Sequence, residues 1–446
     1  MVSSIDGLQF PSLAGREVVA RFDGGDVTSD AGLLLVKRAD ERVGLTEAMS
    51  AAVEDARQRK KVRHGWEELL RSRVYAIVAG YEDANDLDTL RNDPALKMVC
   101  ERLPATGPAL ASQPTVSRFE NSMSARDQLR IALALAERVI SLLPADTQSV
   151  VLDVDASEDP CHGQQELELF NGYYGSHCYL PLFLYVTDET GRQRLLGTLL
   201  RPGNAGSEKG LFGMLRRAVK LLRARFPGLR IQLRADGGFG HDAVMRWCEK
   251  HDVRYELGLT RNRALQRLST PVQMDACLKY RWAGDGCREY GDFQYKAGPW
   301  EHERRVIIKA EITRGELNPR YVVTDEAVAT PEEVYLHYCG RGDSENRIKE
   351  MKLGVQSGRT SCHRFGANQF RLLLHSAAYV LMGVLQEAAD GTRWAKAQVG
   401  TVRVRLLKVG ARVIETCRKV WVHLPTSFPE QAAWHRIYRA LCRDVG

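Results

Sequence analysis

The sequence lacks the patterns that mark zinc-binding, membrane-spanning and exported proteins. Its ten cysteines in 446 residues include no C-x-x-C pair, the spacing that zinc sites commonly use. No run of about 18 consecutive apolar residues occurs, so we expect no membrane-spanning helix and no membrane partner. The first residues contain no basic segment followed by an apolar core. We therefore expect a cytoplasmic protein, in which a reducing environment keeps the cysteines free.

Positive charge is modest overall but concentrated in two places. The net charge is +7, and residues 391–446 alone hold eleven Lys and Arg against three Asp and Glu. The segment RQRKKVRH forms the other cluster. Such clusters suit a phosphate backbone, which attracts cations through Coulomb energy and counterion release, but a solvated basic face is the alternative for each. The candidate phosphate contacts are Arg57, Lys60, Lys61, Arg403, Arg405 and Lys408.

The spacing of apolar residues divides the chain into a helical part and a mixed part. A hydrophobic content of 44% supports a large core and about three domains or subdomains. Residues 29–140 repeat apolar positions at helical spacing. Within them, SQPTVSRFEN predicts a helix start whose Arg118 contacts phosphate, with a plain capped helix as the alternative.

After residue 147 the pattern changes from helical to mixed. Three strand patterns precede alternating helices and strands, which predicts an α/β fold with a mixed sheet flanked by helices. Residues 262–320 alternate aromatic, apolar and polar residues between glycine-containing turns. This stretch predicts an inserted β-rich subdomain.

Three carboxylates come from three of these elements. Asp153 and Asp155 lie two residues apart near the end of one strand, so they share a face of the sheet. Asp236 directly follows a later strand, where two glycines allow the backbone to turn sharply. Glu345 belongs to a charged segment with a helical pattern.

The segment around Glu345 carries other polar side chains at helical spacing. At 100° per residue, a helix over 338–352 places four side chains within a 60° arc. They are Tyr338, Arg341, Glu345 and Lys352. Gly340 and Gly342 favour an alternative in which the helix begins only at Asp343 or Ser344.

Carboxylates in this number suit metal-dependent phosphate chemistry. Three of them can hold two divalent cations about 4 Å apart, which together activate an attacking oxygen and stabilise a leaving one. Magnesium is the expected ion because it prefers oxygen ligands and keeps bound waters. For each aspartate considered alone, a turn residue or a helix cap is the favoured interpretation, and the joint placement of the carboxylates reverses that preference.

The spacing Y-x2-R-x3-E-x6-K, from Tyr338 to Lys352, resembles the Y-R-E-K signature of a branch of bacterial insertion-sequence transposases. These enzymes belong to the DDE, retroviral-integrase-like superfamily. The segments LDVDASEDPCHGQQELELFNGYYGSHCYLPL, RADGGFG and ENRIKEMKLG further resemble the subgroup named after insertion sequence thirteen-eighty. The resemblance covers roughly residues 20–430.

The resemblance implies a ribonuclease-H-like core that carries a β-rich insertion. The implied domains are a mainly helical DNA-binding domain (1–140), a catalytic core (147–261 and 321–390), the insertion (262–320) and a basic C-terminal segment (391–446). The implied catalytic metal ligands are Asp155, Asp236 and Glu345, supported by Tyr338, Arg341 and Lys352. Asp153 remains an alternative to Asp155.

The implied activity is cut-and-paste DNA transposition, in which element ends are cut and their 3′ hydroxyls are joined to target DNA. Two Mg²⁺ ions, replaceable by Mn²⁺, are the implied cofactors. Double-stranded DNA, both terminal inverted repeats and target, is the implied partner of a homodimer at the bacterial nucleoid. A nuclease without strand transfer and a domesticated DNA-binding protein remain alternatives.

Some relatives form a hairpin at the element end, a step that needs an aromatic partner for a flipped base. Trp282 and Trp300 are candidates for that role, with packing inside the insertion as the alternative. His162 and Gln165 are further candidates for DNA contacts beside the metals, with a structural role as the alternative.

Overall fold

The computed structural model describes residues 7–283 and 286–443. Its strands are β1 (Leu8–Leu13), β2 (Arg16–Ala20), β3 (Val27–Thr28), β4 (Ser149–Ala156), β5 (Asp159–Pro160), β6 (Leu169–Asn171), β7 (Ser176–Tyr179), β8 (Leu182–Thr187), β9 (Gln193–Leu199), β10 (Arg230–Ala235), β11 (Arg254–Leu259), β12 (Arg288–Tyr295), β13 (Arg304–Thr313), β14 (Glu316–Thr324), β15 (Ala411–Glu415) and β16 (Val420–His423). Its helices are α1 (Leu33–Val43), α2 (Leu45–Ala51), α3 (Trp66–Ala79), α4 (Leu87–Leu90), α5 (Pro94–Val99), α6 (Gln113–Ser122), α7 (Ala125–Ile140), α8 (Leu211–Arg225), α9 (Asp242–Lys250), α10 (Arg263–Leu268), α11 (Thr270–Ala283), α12 (Pro331–Cys339), α13 (Gly342–Gly354), α14 (Phe365–Ala388), α15 (Val399–Val402) and α16 (Gln431–Cys442). Within the described part of the chain, none of these helices is both long and apolar enough to cross a bilayer.

The chain forms two compact units, each built from separated segments. The terminal unit contains the described parts of Met1–Arg42, Asp55–Phe119 and Leu381–Gly446. The central unit contains Val43–Glu54 and Glu120–Val380. These boundaries differ from the expected division at residues 140 and 391, because helix α7 packs against strand β9 and helix α8 of the central unit.

The terminal unit joins both ends of the chain. Strand β15 pairs with β16 on one side and with β3 on the other, so the basic C-terminal segment is folded together with N-terminal residues. Ala31, Val409 and Ala411 form a small buried cluster in this region. Residues 29–140 are mainly helical as expected, whereas the preceding hairpin of β1 and β2 was not expected from the apolar spacing.

The central unit contains a mixed sheet flanked by helices, which confirms the expected fold class. Among the described residues the sheet has eight strands in the order β12-β13-β14-β11-β10-β4-β8-β9. Strand β4 runs parallel to β10, which runs parallel to β11, while β8 and β9 continue the sheet in antiparallel pairing. These five strands form a ribonuclease-H-like core.

Residues 262–320 differ from a separate β-rich subdomain in two ways. The stretch begins with helices α10 and α11, and its strands β12, β13 and β14 extend the central sheet through the pairing of β14 with β11. Within α11 only Ala276 is buried. A helix with so little buried surface lacks the periodic apolar stripe by which its sequence is recognised.

A row of charged side chains crosses the three parallel strands. The strand register places Asp153 of β4 beside Arg234 of β10, and Arg234 beside Glu256 of β11. Arg234 donates two hydrogen bonds to the Asp153 carboxylate, of 2.8 and 2.9 Å, and a third of 2.6 Å to the backbone oxygen of His337 in α12. The His337 ring lies 2.8 Å from a Glu256 carboxylate oxygen. We call these four residues the ion-pair row.

The ion-pair row ties the sheet to the end of helix α12. Gly340 follows that helix, and a Cβ there would lie 2.5 Å from Arg234 Nη1, so glycine leaves the space that the guanidinium needs. Asp153 is fully buried and also accepts a hydrogen bond of 2.9 Å from Gln193. Its charge is therefore compensated at several points.

We expect Asp153→Ala to lower the free energy of unfolding by about 3–5 kcal/mol, because it leaves the Arg234 guanidinium buried and without its carboxylate. Urea denaturation followed by circular dichroism measures this change. Asp146→Ala, at an exposed position before β4, is the matched control and should change stability by less than about 0.5 kcal/mol. Equal effects of the two substitutions would contradict the proposed contribution of the pair.

Candidate active site

A second row lies two residues further toward the ends of the parallel strands. It consists of Asp155, Asp236 and Gly258, which follow Asp153, Arg234 and Glu256 by two positions on their respective strands. We call it the carboxylate row. Because side chains alternate along a strand, both rows lie on the same face of the sheet. Two adjacent carboxylates therefore stand where β4 and β10 end.

The Asp236 side chain is fixed by the turn that follows its strand. Residues 237–239 form a single 3₁₀ turn with Asp236 at its N-cap, and the carboxylate accepts a hydrogen bond of 2.9 Å from the backbone N–H of Gly238. The glycine-containing turn thus holds this carboxylate at the sheet edge.

The carboxyl group of Asp155 is buried and lies near other negative charges, and both conditions change its pKa. Burial, followed by the charge of Asp236 and to a smaller extent that of Glu345, raises the pKa of its carboxyl group to about 7, although Arg341 and the backbone N–H of Ala156 oppose the rise. The shift from the ordinary value of 3.8 therefore reflects a carboxyl group that is mainly desolvated and that also lies near other negative charges. A cation bound there would offset those charges.

The segment above the carboxylate row is not one continuous helix. Helix α12 ends at Cys339 and α13 begins at Gly342, with Arg341 at its N-cap. Both intervening residues keep right-handed helical angles, but the N–H of Arg341 bonds to the oxygen of Tyr338, a tighter i to i−3 contact. The expectation of a helix across 338–352 is therefore wrong at Gly340 and Arg341. The observed N-cap, Arg341, lies two residues before Asp343, the earlier of the two N-caps that the alternative considered.

Arg341 nevertheless lies between two of the carboxylates. Its guanidinium is 3.5 Å from an oxygen of Asp155 and 2.6 Å from an oxygen of Glu345. Burial lowers its pKa, but the neighbouring Tyr338 and the two carboxylates outweigh burial and raise it. Arg341 is therefore permanently charged at the centre of the site.

Tyr338 reaches the same place from the end of α12. A Cβ at position 258 would lie 2.6 Å from the Tyr338 hydroxyl, so only glycine in the carboxylate row leaves room for it. Burial raises the pKa of this hydroxyl, Arg341 partly offsets that rise, and Asp236 adds to it. The tyrosine thus lies beside both Arg341 and the second carboxylate.

The donor set fits a divalent ion chemically, since carboxylate oxygens are the ligands that Mg²⁺ prefers. In the described part of the chain, however, no three His, Cys, Asp or Glu side chains are grouped closely enough to hold one ion together. The reason is visible at Glu345, whose carboxylate is directed to Arg341. Its side chain is more than half exposed, so a change of rotamer that brings it toward the aspartates costs little.

Asp153 and Lys352 have other roles than the ones first considered for them. Asp153 is saturated by Arg234 and Gln193, which favours Asp155 as the first carboxylate ligand. Lys352 donates a hydrogen bond to the backbone oxygen of Glu158, in the loop after β4, rather than facing open solvent. Burial lowers the pKa of Lys352, and nearby Asp159 and Glu158 oppose that effect. The lysine therefore fixes the loop that follows β4.

The two tryptophans proposed as partners for a flipped base differ in accessibility. Trp300 is 6% exposed, and its ring lies 5.2 Å from that of Tyr295 and under the guanidinium of Arg304. This burial contradicts a DNA contact for Trp300 and supports the packing alternative. Trp282, near the end of α11, is 90% exposed and remains a candidate.

His162 and Gln165 differ in their surroundings, and the structure adds one residue that was not expected. Gln165 donates a hydrogen bond of 2.6 Å to the backbone oxygen of Thr360, which indicates a structural role, whereas His162 is exposed. Tyr174 was not singled out by the sequence, yet its pKa is raised by burial and also by Asp155 and Asp236. No spacing rule connects a turn tyrosine to carboxylates on other strands.

The basic residues of the terminal unit fall into exposed and internally paired groups. Lys60, Lys61 and Arg118 are exposed, whereas Arg57 makes two hydrogen bonds of 2.7 and 2.6 Å to the Asp55 carboxylate. Arg57 also lies 3.8 Å above the Trp66 ring. Its charge is already neutralised locally, which weakens the expectation that it contacts phosphate.

The C-terminal cations divide in the same way. Arg403 donates a hydrogen bond of 2.7 Å to the backbone oxygen of Val78 at the end of α3, and burial lowers its pKa. Lys408 forms an ion pair of 2.7 Å with Asp30. These contacts weaken the expectation that Arg403 and Lys408 contact phosphate, while Arg405 is exposed.

Comparison with known proteins gives an independent result. A family model described as transposase DDE domain group 1 matches residues 10–445. The chain belongs to this family of DDE transposases. A search of curated proteins found no match. The match spans both units of this transposase-family protein, and it confirms the resemblance at the level of DDE transposases. Membership implies a transposase function, DNA binding and the use of divalent metal ions.

The raised pKa of Asp155 gives a pH-dependent stability. A carboxyl whose pKa is about 7 when folded and 3.8 when unfolded stabilises the fold below pH 3.8, and this contribution is lost as the pH rises through 7. Asp155→Asn should therefore be about 2–4 kcal/mol more stable than the wild type at pH 8 without divalent ions, and equally stable near pH 4. Urea unfolding at both pH values measures the difference. Asp146→Asn, at an exposed carboxyl, is the control, and its free energy of unfolding should show no pH-dependent gain. If Asp155→Asn gained the same stability at both pH values, the prediction would be wrong.

Arg403 and Arg405 form a matched pair for testing DNA binding. Arg405→Ala should reduce the slope of log affinity against log salt by about 0.9 and leave stability unchanged, because an exposed cation that meets phosphate releases one counterion. Arg403→Ala should leave the slope unchanged and lower stability by about 1–3 kcal/mol, because it removes buried hydrogen bonds. Salt titrations with duplex DNA and urea unfolding measure both effects. An unchanged slope for Arg405→Ala would show a solvated basic face instead.

Proposed function

We propose that the central unit cuts DNA at the ends of a mobile element and joins the freed 3′ hydroxyls to target DNA. The observation that carries this proposal is the carboxylate row, in which Asp155 and Asp236 end adjacent parallel strands beneath Arg341 and Glu345. Family membership supports the transposase function itself. The cut-and-paste route and the strand-transfer step are inferred from the resemblance to insertion-sequence transposases, since the carboxylates alone would equally serve a nuclease.

Asp155, Asp236 and Glu345 are the residues that would hold two Mg²⁺ ions, with Mn²⁺ as a substitute. When bound, these ions would supply charge stabilisation to the scissile phosphate and activate the attacking oxygen. The aspartates are held in place by strand ends and by the Gly238 N–H, while Glu345 supplies a carboxylate that can turn. The protein thus provides two fixed donors and one adjustable donor.

Arg341 and Tyr338 would contact the DNA strand. A guanidinium that is already desolvated beside carboxylates can form charge-assisted hydrogen bonds to the phosphate oxygens that enter the site. Entry of the phosphate would replace the Glu345 carboxylate as a partner of Arg341 and leave Glu345 able to turn toward the aspartates. The Tyr338 hydroxyl, beside Asp236, would help to hold the strand at the second carboxylate.

The exposed cations of the terminal unit would hold the flanking duplex. Lys60, Lys61, Arg118 and Arg405 are exposed side chains able to meet the phosphate backbone. An element has two ends with inverted repeats, so simultaneous cutting requires two copies of the site. We therefore infer that a homodimer assembles on DNA.

The catalytic assignment can be tested with a plasmid that carries the inverted repeats flanking the reading frame. We expect Asp155→Asn, Asp236→Asn and Glu345→Gln each to reduce cleavage by about 100-fold or more while DNA binding is retained, because they remove metal ligands but not phosphate contacts. Gel analysis of cleavage and fluorescence anisotropy of binding measure the two properties. Glu350→Gln is the control on the same helix, since a glutamine can still accept the hydrogen bond of 2.9 Å that Glu350 receives from Tyr379.

Strand transfer separates this proposal from the two alternatives. Element ends that already carry 3′ hydroxyls should be joined to a supercoiled plasmid by the wild type. Cleavage without joining under the same conditions would indicate a nuclease. A biological activity that survives Glu345→Gln would indicate a DNA-binding protein that does not use the catalytic site.

A further inference from the structure

A short hairpin beside the carboxylate row presents an exposed aromatic surface. Residues 169–179, which we call the aromatic hairpin, contain β6, β7 and the turn between them. Phe170 is 55% exposed, Tyr173 is 89% exposed and Tyr174 is 40% exposed. Large apolar side chains that stand together in solvent indicate a binding surface more often than isolated ones do.

The Asn171 side chain fixes the backbone of the turn that carries the two tyrosines. The Asn171 side-chain oxygen accepts hydrogen bonds of 2.9 and 3.2 Å from the backbone N–H groups of Tyr173 and Tyr174. Its amide nitrogen donates a bond of 2.7 Å to the backbone oxygen of Gly203. The two tyrosine rings meet edge to face, with their centres 4.9 Å apart. With the backbone fixed and the two rings already in contact, binding of a planar group orders few further bonds.

The hairpin is connected to the strand that carries Asp155. Strand β7 pairs with β5, which begins three residues after β4 ends, and Ser176 donates a hydrogen bond to the Glu158 carboxylate in the intervening loop. The Tyr174 hydroxyl is close enough to Asp155 and Asp236 that their charges help to raise its pKa, after the effects of burial and of Tyr173. The aromatic surface therefore borders the place where the scissile phosphate would lie.

We propose that the Tyr173 ring stacks on an unpaired base of the DNA strand whose phosphate lies at the carboxylate row, with Tyr174 supporting the ring. This inference rests on the proposed function for the presence of DNA at that edge. A base is the occupant that fits best, because the turn residues from Gly172 to Gly175 are uncharged and offer a π face rather than cations. A cut strand also has terminal bases that leave the duplex easily and then need a new stacking partner.

The experiment uses the full chain in a buffer without divalent ions, so that no cleavage occurs. The probes are two duplexes of arbitrary sequence, one blunt and one with a three-nucleotide 3′ overhang that contains 2-aminopurine. We expect the wild type to prefer the overhang duplex by about tenfold and to quench its fluorescence, because stacking on an aromatic ring is strong and tolerant of sequence. Tyr173→Ala should lose both the preference and the quenching. Tyr173→Phe should keep both, since the ring is retained.

Control variants exclude a general loss of binding. Val328→Ala removes an apolar side chain that is 92% exposed in the loop after β14. The end of β14 pairs with the start of β11, whereas the carboxylate row lies near the end of β11. This variant should behave as the wild type does. Because Tyr173 is so exposed, the alanine variant should unfold at the same urea concentration as the wild type, which checks its folding.

The outcomes decide the inference separately from the catalytic proposal. If Tyr173→Ala keeps the overhang preference and the quenching, stacking by this hairpin is refuted, even if the carboxylate variants abolish cleavage. If Tyr173→Ala instead weakens self-association in sedimentation experiments and leaves the preference intact, the surface contacts a second copy and the inference is also overturned. If the wild type shows the preference but never cleaves DNA, the inference stands and the catalytic proposal fails.

Discussion

The buried ion pair between Asp153 and Arg234 is the interaction on which the rest of the site depends. It joins two parallel strands two residues before the carboxylate row, and the third hydrogen bond of Arg234 ties these strands to the end of helix α12. A pair at this depth is stabilising only because every part of the guanidinium finds an acceptor. The carboxylate row lies two residues further along the same strands. This contact therefore also fixes the positions of Asp155 and Asp236.

Burial and repeated charge then give the carboxylate row its chemistry. Asp155 and Asp236 are brought together by strand register, and their mutual repulsion is only partly offset by Arg341. Such a site favours the binding of cations. It also contains one carboxylate, that of Glu345, whose exposed side chain can still change its rotamer. Rigid aspartates and a mobile glutamate are consistent with a site that is completed when DNA and metal ions bind.

Identical residue types serve different purposes according to their surroundings. Arg403 and Arg405 lie two positions apart, yet one donates to backbone carbonyls inside the terminal unit while the other is exposed. Trp300 and Trp282 likewise divide into a core residue and a surface residue. Composition and charge clustering could not separate these pairs, because exposure depends on which other segments cover each side chain.

The sequence alone determined the mixed sheet, most of the helices and a short set of candidate carboxylates, because period and local spacing are encoded within single elements. The resemblance to transposases then selected Asp236 and Glu345. The sequence left Asp153 and Asp155 as alternatives, treated 262–320 as a separate subdomain and gave no role to Arg234 or Tyr174. Only the tertiary structure decided these points. Asp153 differs from Asp155 because Arg234 comes from another strand, and contacts between distant segments have no local signature in the chain.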